Sequence, residues 1–81
     1  MQIKEGKKYK VIIKCHHFED KDSNKEGIIF YPDEVYKVDF LFERNGTAFV
    51  FLGTFKNQYG EDFEKIIGLD LFKNCFEEIS D

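Results

Sequence analysis

The 81-residue chain is predicted to fold as one small, mainly β domain, and three observations support this prediction. Apolar and polar residues alternate over several short runs, which is the period-two pattern of strands. Asn45-Gly46 separates two of these runs, and this dipeptide is typical of a two-residue hairpin turn. Aromatic residues make up 17% of the chain, so that a few large side chains can fill a small core. We expect a small barrel of five or six strands that spans residues 1–81.

The composition excludes several classes of protein. Ten Phe and four Tyr are too many for a disordered chain, and no apolar run is long enough to cross a membrane. A chain of this length also lacks room for the cofactor and substrate halves of a two-domain enzyme. No apolar stretch follows the first lysines, so we expect a cytoplasmic protein without a membrane partner. Cys15 and Cys75 are expected to be free thiols, although a single disulfide stays open.

The first predicted strand covers residues 8–15, where polar and apolar positions alternate. The charged and amide-rich residues 16–27 are too polar to pack and predict a long loop. Residues 28–31 form a short apolar strand that Pro32 ends, because proline cannot donate to a sheet. The side chains expected to face inward from the first strand are Tyr9, Val11, Ile13 and Cys15.

The central hairpin joins residues 35–44 to residues 47–55 through a type I′ turn. This register predicts an aromatic wall on one face, which we expect to be the core. Its members are Tyr36, Val38, Phe40, Phe42, Phe49, Phe51 and Phe55. The opposite face carries a small apolar island of Leu41, Val50 and Leu52. Either a further layer of the chain or a partner protein covers this island, so it is a second predicted interface, suited to a homodimer.

The C-terminal part supports two interpretations. A polar loop over residues 56–62 leads to a predicted strand over residues 63–69. Residues 70–79 then show apolar positions at helical spacing, which fits an amphipathic helix. The alternative is one helical turn over residues 70–74 followed by a short strand over residues 75–79. We favour the turn and strand, because Phe, Asn and Cys are mediocre helix formers and short helices are marginal.

One family resemblance follows from the order of these features. A lysine-rich lead into Tyr9-Lys10-Val11 precedes a long polar loop, the Asn45-Gly46 hairpin and a closing Leu-Phe-Lys-Asn-Cys-Phe-Glu-Glu-Ile over residues 71–79. In this pattern, most of the chain resembles the small SH3-like barrels found among phage and mobile-element proteins. The resemblance implies an SH3-like barrel that acts as a binding module, and it carries no catalytic residues with it.

Candidate metal and catalytic motifs are incomplete. Cys15-His16-His17 and Cys75 supply at most three ligands, since neighbouring strand residues point to opposite sides. The run Asp-Lys-Asp-Ser-Asn over residues 20–24 begins like a calcium loop, but Lys25 and Tyr31 occupy the positions that need Gly and Glu. The glycines are scattered and form no phosphate-binding loop. We therefore predict no metal, no cofactor and no enzyme activity.

Binding of another protein is the predicted function. The expected site is a shallow aromatic groove formed by Phe18, Tyr31, Tyr59 and Phe72. The chain is expected to be a monomer or a homodimer, and a phage-encoded modulator of a host protein is the narrower hypothesis. The alternative is a barrel that binds single-stranded nucleic acid by stacking bases on exposed aromatics. A net charge of −4 and a single arginine weigh against this alternative.

Overall fold

The computed structural model describes residues 3–17 and 28–79, and it confirms a mainly β fold. Within this part of the chain, eight short strands surround one helix. In chain order they are β1 (Lys8–Val11), β2 (Cys15–His17), β3 (Ile28–Phe30), β4 (Val35–Lys37), β5 (Phe40–Arg44), β6 (Thr47–Lys56), β7 (Asp62–Gly68), α1 (Leu69–Cys75) and β8 (Phe76–Glu78).

These strands form three small antiparallel sheets, with the orders β4-β1-β8, β2-β3 and β5-β6-β7. None of the sheets within the described residues closes into a barrel, so the SH3-like barrel expected from the sequence does not appear there. The reason is that two predicted strands are each broken in the middle. The halves of a broken strand join different sheets.

The first break lies after β1. The N–H groups of Ile12 and Ile13 both donate to the carbonyl oxygen of Cys75, at 2.8 and 3.3 Å, and this ends the strand at Val11. Ile13 is 55% exposed, so its predicted place in the core is wrong. The strand resumes at Cys15 and pairs with β3, which also places part of the predicted 16–27 loop in β2.

The second break lies between β4 and β5. The N–H of Val38 donates to the carbonyl of Lys7 at 3.0 Å, whereas the N–H of Asp39 donates to the carbonyl of Phe51 at 3.0 Å. One residue is therefore bound to the N-terminal segment and the next to β6. As a result, β4 pairs with β1, and the predicted single strand over residues 35–44 is divided.

The Asn45-Gly46 hairpin has the predicted turn and register. Both turn residues have positive φ, 53° at Asn45 and 80° at Gly46, as a type I′ turn requires. The pairs run from Arg44 opposite Thr47 to Phe40 opposite Phe51. Beyond these pairs, the predicted pairing of residues 36 and 38 with β6 is replaced by the pairing of β4 with β1.

The C-terminal segment follows the favoured interpretation, with a longer helix. Helix α1 ends at Cys75, and the extended backbone of Phe76 begins β8, which pairs with β1. A single helix over residues 70–79 is therefore not formed. Gly68 precedes the helix without a side-chain cap, so the helix depends on its buried side chains for stability.

One core joins the three sheets and the helix. The rings of Phe72 and Phe76 stack with centroids 4.3 Å apart, and Tyr9 meets Phe72 edge-on at 5.1 Å. Large rings thus fill the centre of a small fold. The buried core residues are Tyr9, Val11, Cys15, Phe30, Tyr36, Val38, Val50, Leu52, Ile67, Phe72, Cys75 and Phe76.

Candidate protein-binding surface

The face of the β5-β6-β7 sheet that packs against the core is not the one that the sequence predicts, but the opposite one. Val50 and Leu52 are buried, with 0% and 3% of their surface exposed, whereas Phe40 is 43% exposed. Because strand side chains alternate, the phenylalanines of β5 and β6 next to these residues lie on the outward face. The predicted aromatic wall is therefore wrong for this sheet, although Tyr36 and Val38 are buried as expected.

A β-bulge at Gly53 explains the error. The register between β6 and β7 shifts between Phe51 and Thr54, and Gly53 has a φ of +110°. An extra residue in one strand reverses the face on which the following side chains lie. Phe55 packs against the core as predicted, whereas Phe51 lies on the other side of the bulge and faces outward. An unbroken alternation across Gly53 would place both rings on one face.

Four phenylalanines form the outward surface of this sheet, which we call the phenylalanine face (Phe40, Phe42, Phe49 and Phe51). The rings of Phe40 and Phe51 stack at 4.6 Å with an interplanar angle of 9°, and those of Phe42 and Phe49 stack at 5.4 Å with 21°. The guanidinium of Arg44 also lies over the ring of Phe42, 5.8 Å from the ring centroid. These cross-strand stacks make a continuous apolar surface.

Strand β5 is exposed on both faces and along one edge. Among the described residues, β5 pairs only with β6, so its other edge meets no strand. Leu41 lies on the core side of the sheet, opposite Val50, yet 41% of its surface is exposed. Strand β5 thus extends beyond the core. Edge strands of this kind, with apolar side chains and free backbone groups, invite pairing with another chain.

The four residues predicted to form an aromatic groove have different surroundings. Tyr31 is 49% exposed and lies after β3, with the Nζ of Lys14 5.3 Å from its ring centroid. Tyr59 is 76% exposed at the turn between β6 and β7. Phe72 is fully buried in the core, because it belongs to the inner side of α1 and offers no surface to a partner. Phe18 lies outside the described residues.

The second predicted interface is only partly at the surface. Leu41 is exposed, whereas Val50 and Leu52 of β6 are buried core residues on the inner face of the sheet. Because these two residues are buried with Ile67 in the core, the face of β6 opposite the phenylalanine face is apolar as well. The layer that covers this island is the chain itself.

A half-buried lysine, Lys65, connects two of the sheets. The Nζ of Lys65 donates to the hydroxyl of Tyr36 at 2.7 Å, and that hydroxyl donates to Oε1 of Glu34 at 3.1 Å. The same Nζ lies 4.8 Å from the ring centroids of both Tyr36 and Phe55. Burial lowers the pKa of Lys65, and Glu34 partly opposes this effect. Burial, followed by the charge of Glu34, raises the pKa of Tyr36.

The two cysteines meet inside the core. Both thiols are free and buried, and the Cys15 thiol is in hydrogen-bonding contact with that of Cys75. Burial, with this contact, raises the pKa of Cys15 to about 12, so the thiol is protonated at neutral pH. Within residues 3–17 and 28–79, no group of three or more His, Cys, Asp or Glu side chains is placed to hold a metal ion.

The phenylalanine face could have been recognised from one signal in the sequence. A glycine inside a strand pattern often marks a bulge, and Gly53 is the only glycine within the second hairpin strand. The contacts of Lys65 with aromatic rings had no such signal, because two of these rings, Tyr36 and Phe55, come from other strands of the chain.

Comparison with known proteins identifies no relative. Neither a family model, nor a curated protein, nor a solved structure matches this chain. In the part of the chain that the structure describes, no helix has the length and apolar character needed to cross a membrane.

Proposed function

We propose that this chain is a protein-binding module that binds its partner through the phenylalanine face and the free edge of β5. The observation that supports the proposal is the outward stacking of Phe40 on Phe51 and of Phe42 on Phe49, while Val50 on the same hairpin is buried. Ordered apolar rings at the surface cost solubility unless a partner covers them.

The size of the surface indicates the kind of partner. Phe40 is 43% exposed and the other three rings less, so the four expose on the order of 200 Å² together. A stable interface between two globular proteins buries about 800 Å² on each side. The phenylalanine face is too small for that, but it suits an extended segment that pairs with β5 through its backbone and rests its side chains on the rings.

The charge around the face favours a protein over a nucleic acid. Arg44 is the only arginine of the chain. The exposed charged residues of the β5-β6-β7 sheet are three carboxylates and two cations, namely Glu43, Asp62, Glu64, Arg44 and Lys56. Exposed aromatics can stack on bases, but a nucleic-acid surface also needs cations for the phosphates. A phage-encoded modulator of a host protein is the narrower form of the proposal, and it rests on the sequence resemblance alone.

Selection from a random-peptide display library tests the proposal. Peptides selected on the wild-type chain are measured against Phe40→Ser, which removes a ring of the face, and Tyr59→Ser, which removes a more exposed ring elsewhere. We expect Phe40→Ser to weaken binding at least about tenfold and Tyr59→Ser to leave it unchanged. Circular dichroism confirms that both variants fold.

Three outcomes would contradict the proposal in different ways. Equal peptide binding by Phe40→Ser and wild type removes the phenylalanine face from the site. Loss of binding in Tyr31→Ala and Tyr59→Ala instead would restore the predicted aromatic groove. If no peptide is enriched but oligonucleotides bind with a steep dependence on salt, the chain is a nucleic-acid-binding protein.

A further inference from the structure

The direction of the backbone groups along β5 limits what can pair with its free edge. The residue pair that closes a two-residue hairpin is hydrogen-bonded, and here that pair is Arg44 with Thr47. By alternation, Phe42 and Phe40 also direct their backbone groups at β6. Leu41 and Glu43 therefore direct their N–H and C=O groups at the free edge, where they can bond to another strand.

We infer that, when no other partner is bound, a second copy of this chain occupies the edge and pairs its β5 antiparallel with β5. This inference rests on the proposed function, since it names an occupant of the same surface. In a two-fold symmetric antiparallel pair, one residue of β5 must lie opposite the same residue of the second copy. Only then do equivalent side chains of the two copies lie on the same face of the joined sheet. The strand has Phe42 at its centre, which makes Phe42 the natural centre of the pair.

The register centred on Phe42 satisfies both the backbone and the side chains. Leu41 of each copy pairs with Glu43 of the other. In these two pairs, the outward N–H and C=O groups of Leu41 and Glu43 in both copies are all hydrogen-bonded. The stack of Phe42 on Phe49 continues across the symmetry axis into the same stack of the second copy. Arg44, already over a phenylalanine ring within its own chain, comes to lie beside Phe40 of the second copy.

The neighbouring register is less favourable because of its charges. Centring the pair on Leu41 places Glu43 opposite Asp39 of the second copy, twice over. Both carboxylates are exposed, and like charges directly opposite each other destabilise a strand pair. That register also leaves fewer outward backbone groups paired within the five residues of β5. Charge and hydrogen bonding thus favour the same centre.

The area of the pair predicts a weak dimer. One short strand on each side, with partly exposed rings, buries far less than the area of a stable dimer. The second copy is therefore expected to dissociate on dilution and to give way to a partner that also covers the phenylalanine face. Self-pairing would protect the edge from uncontrolled association in the free protein.

Cysteine cross-linking tests the register directly. Phe42→Cys, Leu41→Cys and Ile13→Cys are each oxidised with glutathione disulfide, which takes up the two thiol hydrogens and is reduced to two glutathione molecules. The native cysteines are both buried, and burial raises the pKa of Cys15, so they react slowly. We expect Phe42→Cys to form a covalent dimer several times faster than the exposed control Ile13→Cys, with residue 42 linked to residue 42 in the digested dimer.

Sedimentation equilibrium on the wild type and on Glu43→Pro completes the test. Proline removes an N–H that points at the free edge and breaks no bond within the hairpin, so the variant should fold and stay monomeric at concentrations where the wild type doubles its mass. Faster cross-linking by Leu41→Cys, equal rates in all three variants, or a monomeric wild type at every concentration would overturn the inference. The proposed function fails separately, if Phe40→Ser keeps the selected peptides.

Discussion

At the scale of single residues, Lys65 shows how a half-buried charged side chain can pack among aromatic rings beside the core. Its ammonium group lies among aromatic rings and donates to Tyr36, which in turn holds Glu34. The positive charge is stabilised by the ring faces and by the nearby carboxylate. A negative charge at this position would be repelled by the faces of the same rings and by the carboxylate of Glu34.

Lys65→Glu is therefore expected to lower the free energy of unfolding by about 2–4 kcal/mol. Lys7→Glu is the matched control, since Lys7 is exposed and makes no side-chain contact of this kind, and it should change stability by less than about 0.5 kcal/mol. Urea denaturation followed by tyrosine fluorescence measures both variants. Equal stabilities of the two variants would show that the ammonium group plays no part in joining the sheets.

Cys15 gives the fold a dependence on alkaline pH. Its folded pKa of about 12 lies above the ordinary value of 9.0, so above pH 9 the unfolded chain releases a proton that the folded chain keeps. Stability due to this thiol is complete below pH 9 and falls as the pH rises towards 12. The raised pKa of Tyr36 acts in the same direction at higher pH, whereas the lowered pKa of Lys65 acts in the opposite direction.

Comparison with Cys15→Ala isolates the thiol. Between pH 8 and pH 10, the wild type should lose on the order of 1 kcal/mol more than Cys15→Ala does. Denaturant midpoints at the two pH values measure this difference. Parallel pH profiles for the two proteins would mean that the buried thiol does not titrate as its surroundings indicate.

Candidate site residues were predictable only where a local pattern decides exposure. Tyr31 and Tyr59 lie in connections, and the polar residues around them correctly predict that they are exposed. Phe72 was assigned to the same groove, although its helical spacing with Phe76 and Cys75 also fits a buried face. A single aromatic next to a loop does not show in the sequence on which side of a short helix it lies.

At the scale of elements, Gly53 decides which face of the hairpin strand is inside. A φ of +110° is easily adopted by glycine and is costly for any residue with a Cβ atom. The bulge lets Phe55 enter the core on one side while Phe51 stays outward on the other. The hairpin register was predictable from its turn. The bulge had only Gly53 as a signal in the sequence, and the shift in register with β7 depends on tertiary pairing that the sequence pattern does not show.

Gly53→Ala should cost about 1–3 kcal/mol of stability, since the new Cβ requires a strained backbone although the space around it is ordinary. Gly68→Ala is the matched control, because Gly68 has no positive φ and nothing lies within 4 Å of its added Cβ. Thermal denaturation compares the two. A loss in Gly68→Ala as large as in Gly53→Ala would argue against strain at the bulge as the cause.

At the scale of the whole molecule, the fold class was predictable and the arrangement of sheets was not. Alternation and the Asn45-Gly46 turn depend on local geometry, and both gave correct elements. The breaks at residues 12–14 and 38–39 depend on hydrogen bonds to Cys75, Lys7 and Phe51, which are distant in sequence. The alternation within a strand does not indicate such long-range bonds. The sequence therefore predicts a closed barrel, whereas the structure has three sheets around one core.

The molecule has one part that packs the core and another part that offers a surface for binding. Sheet β4-β1-β8 and helix α1 supply most of the buried rings, whereas the β5-β6 hairpin extends from this core with the phenylalanine face outward. A partner that adds to β5 would therefore change the hairpin and leave the β4-β1-β8 sheet as it is. This separation makes the location of binding measurable residue by residue.

Titration of a library-selected peptide into the ¹⁵N-labelled chain, followed by NMR of the backbone amides, tests this most directly. We expect the largest shifts on Leu41 and Glu43, whose amides point at the free edge, and on the phenylalanine face, with little change in β1, β4 and β8. Shifts centred on the β4-β1-β8 sheet, or on the connections that carry Tyr31 and Tyr59, would contradict it.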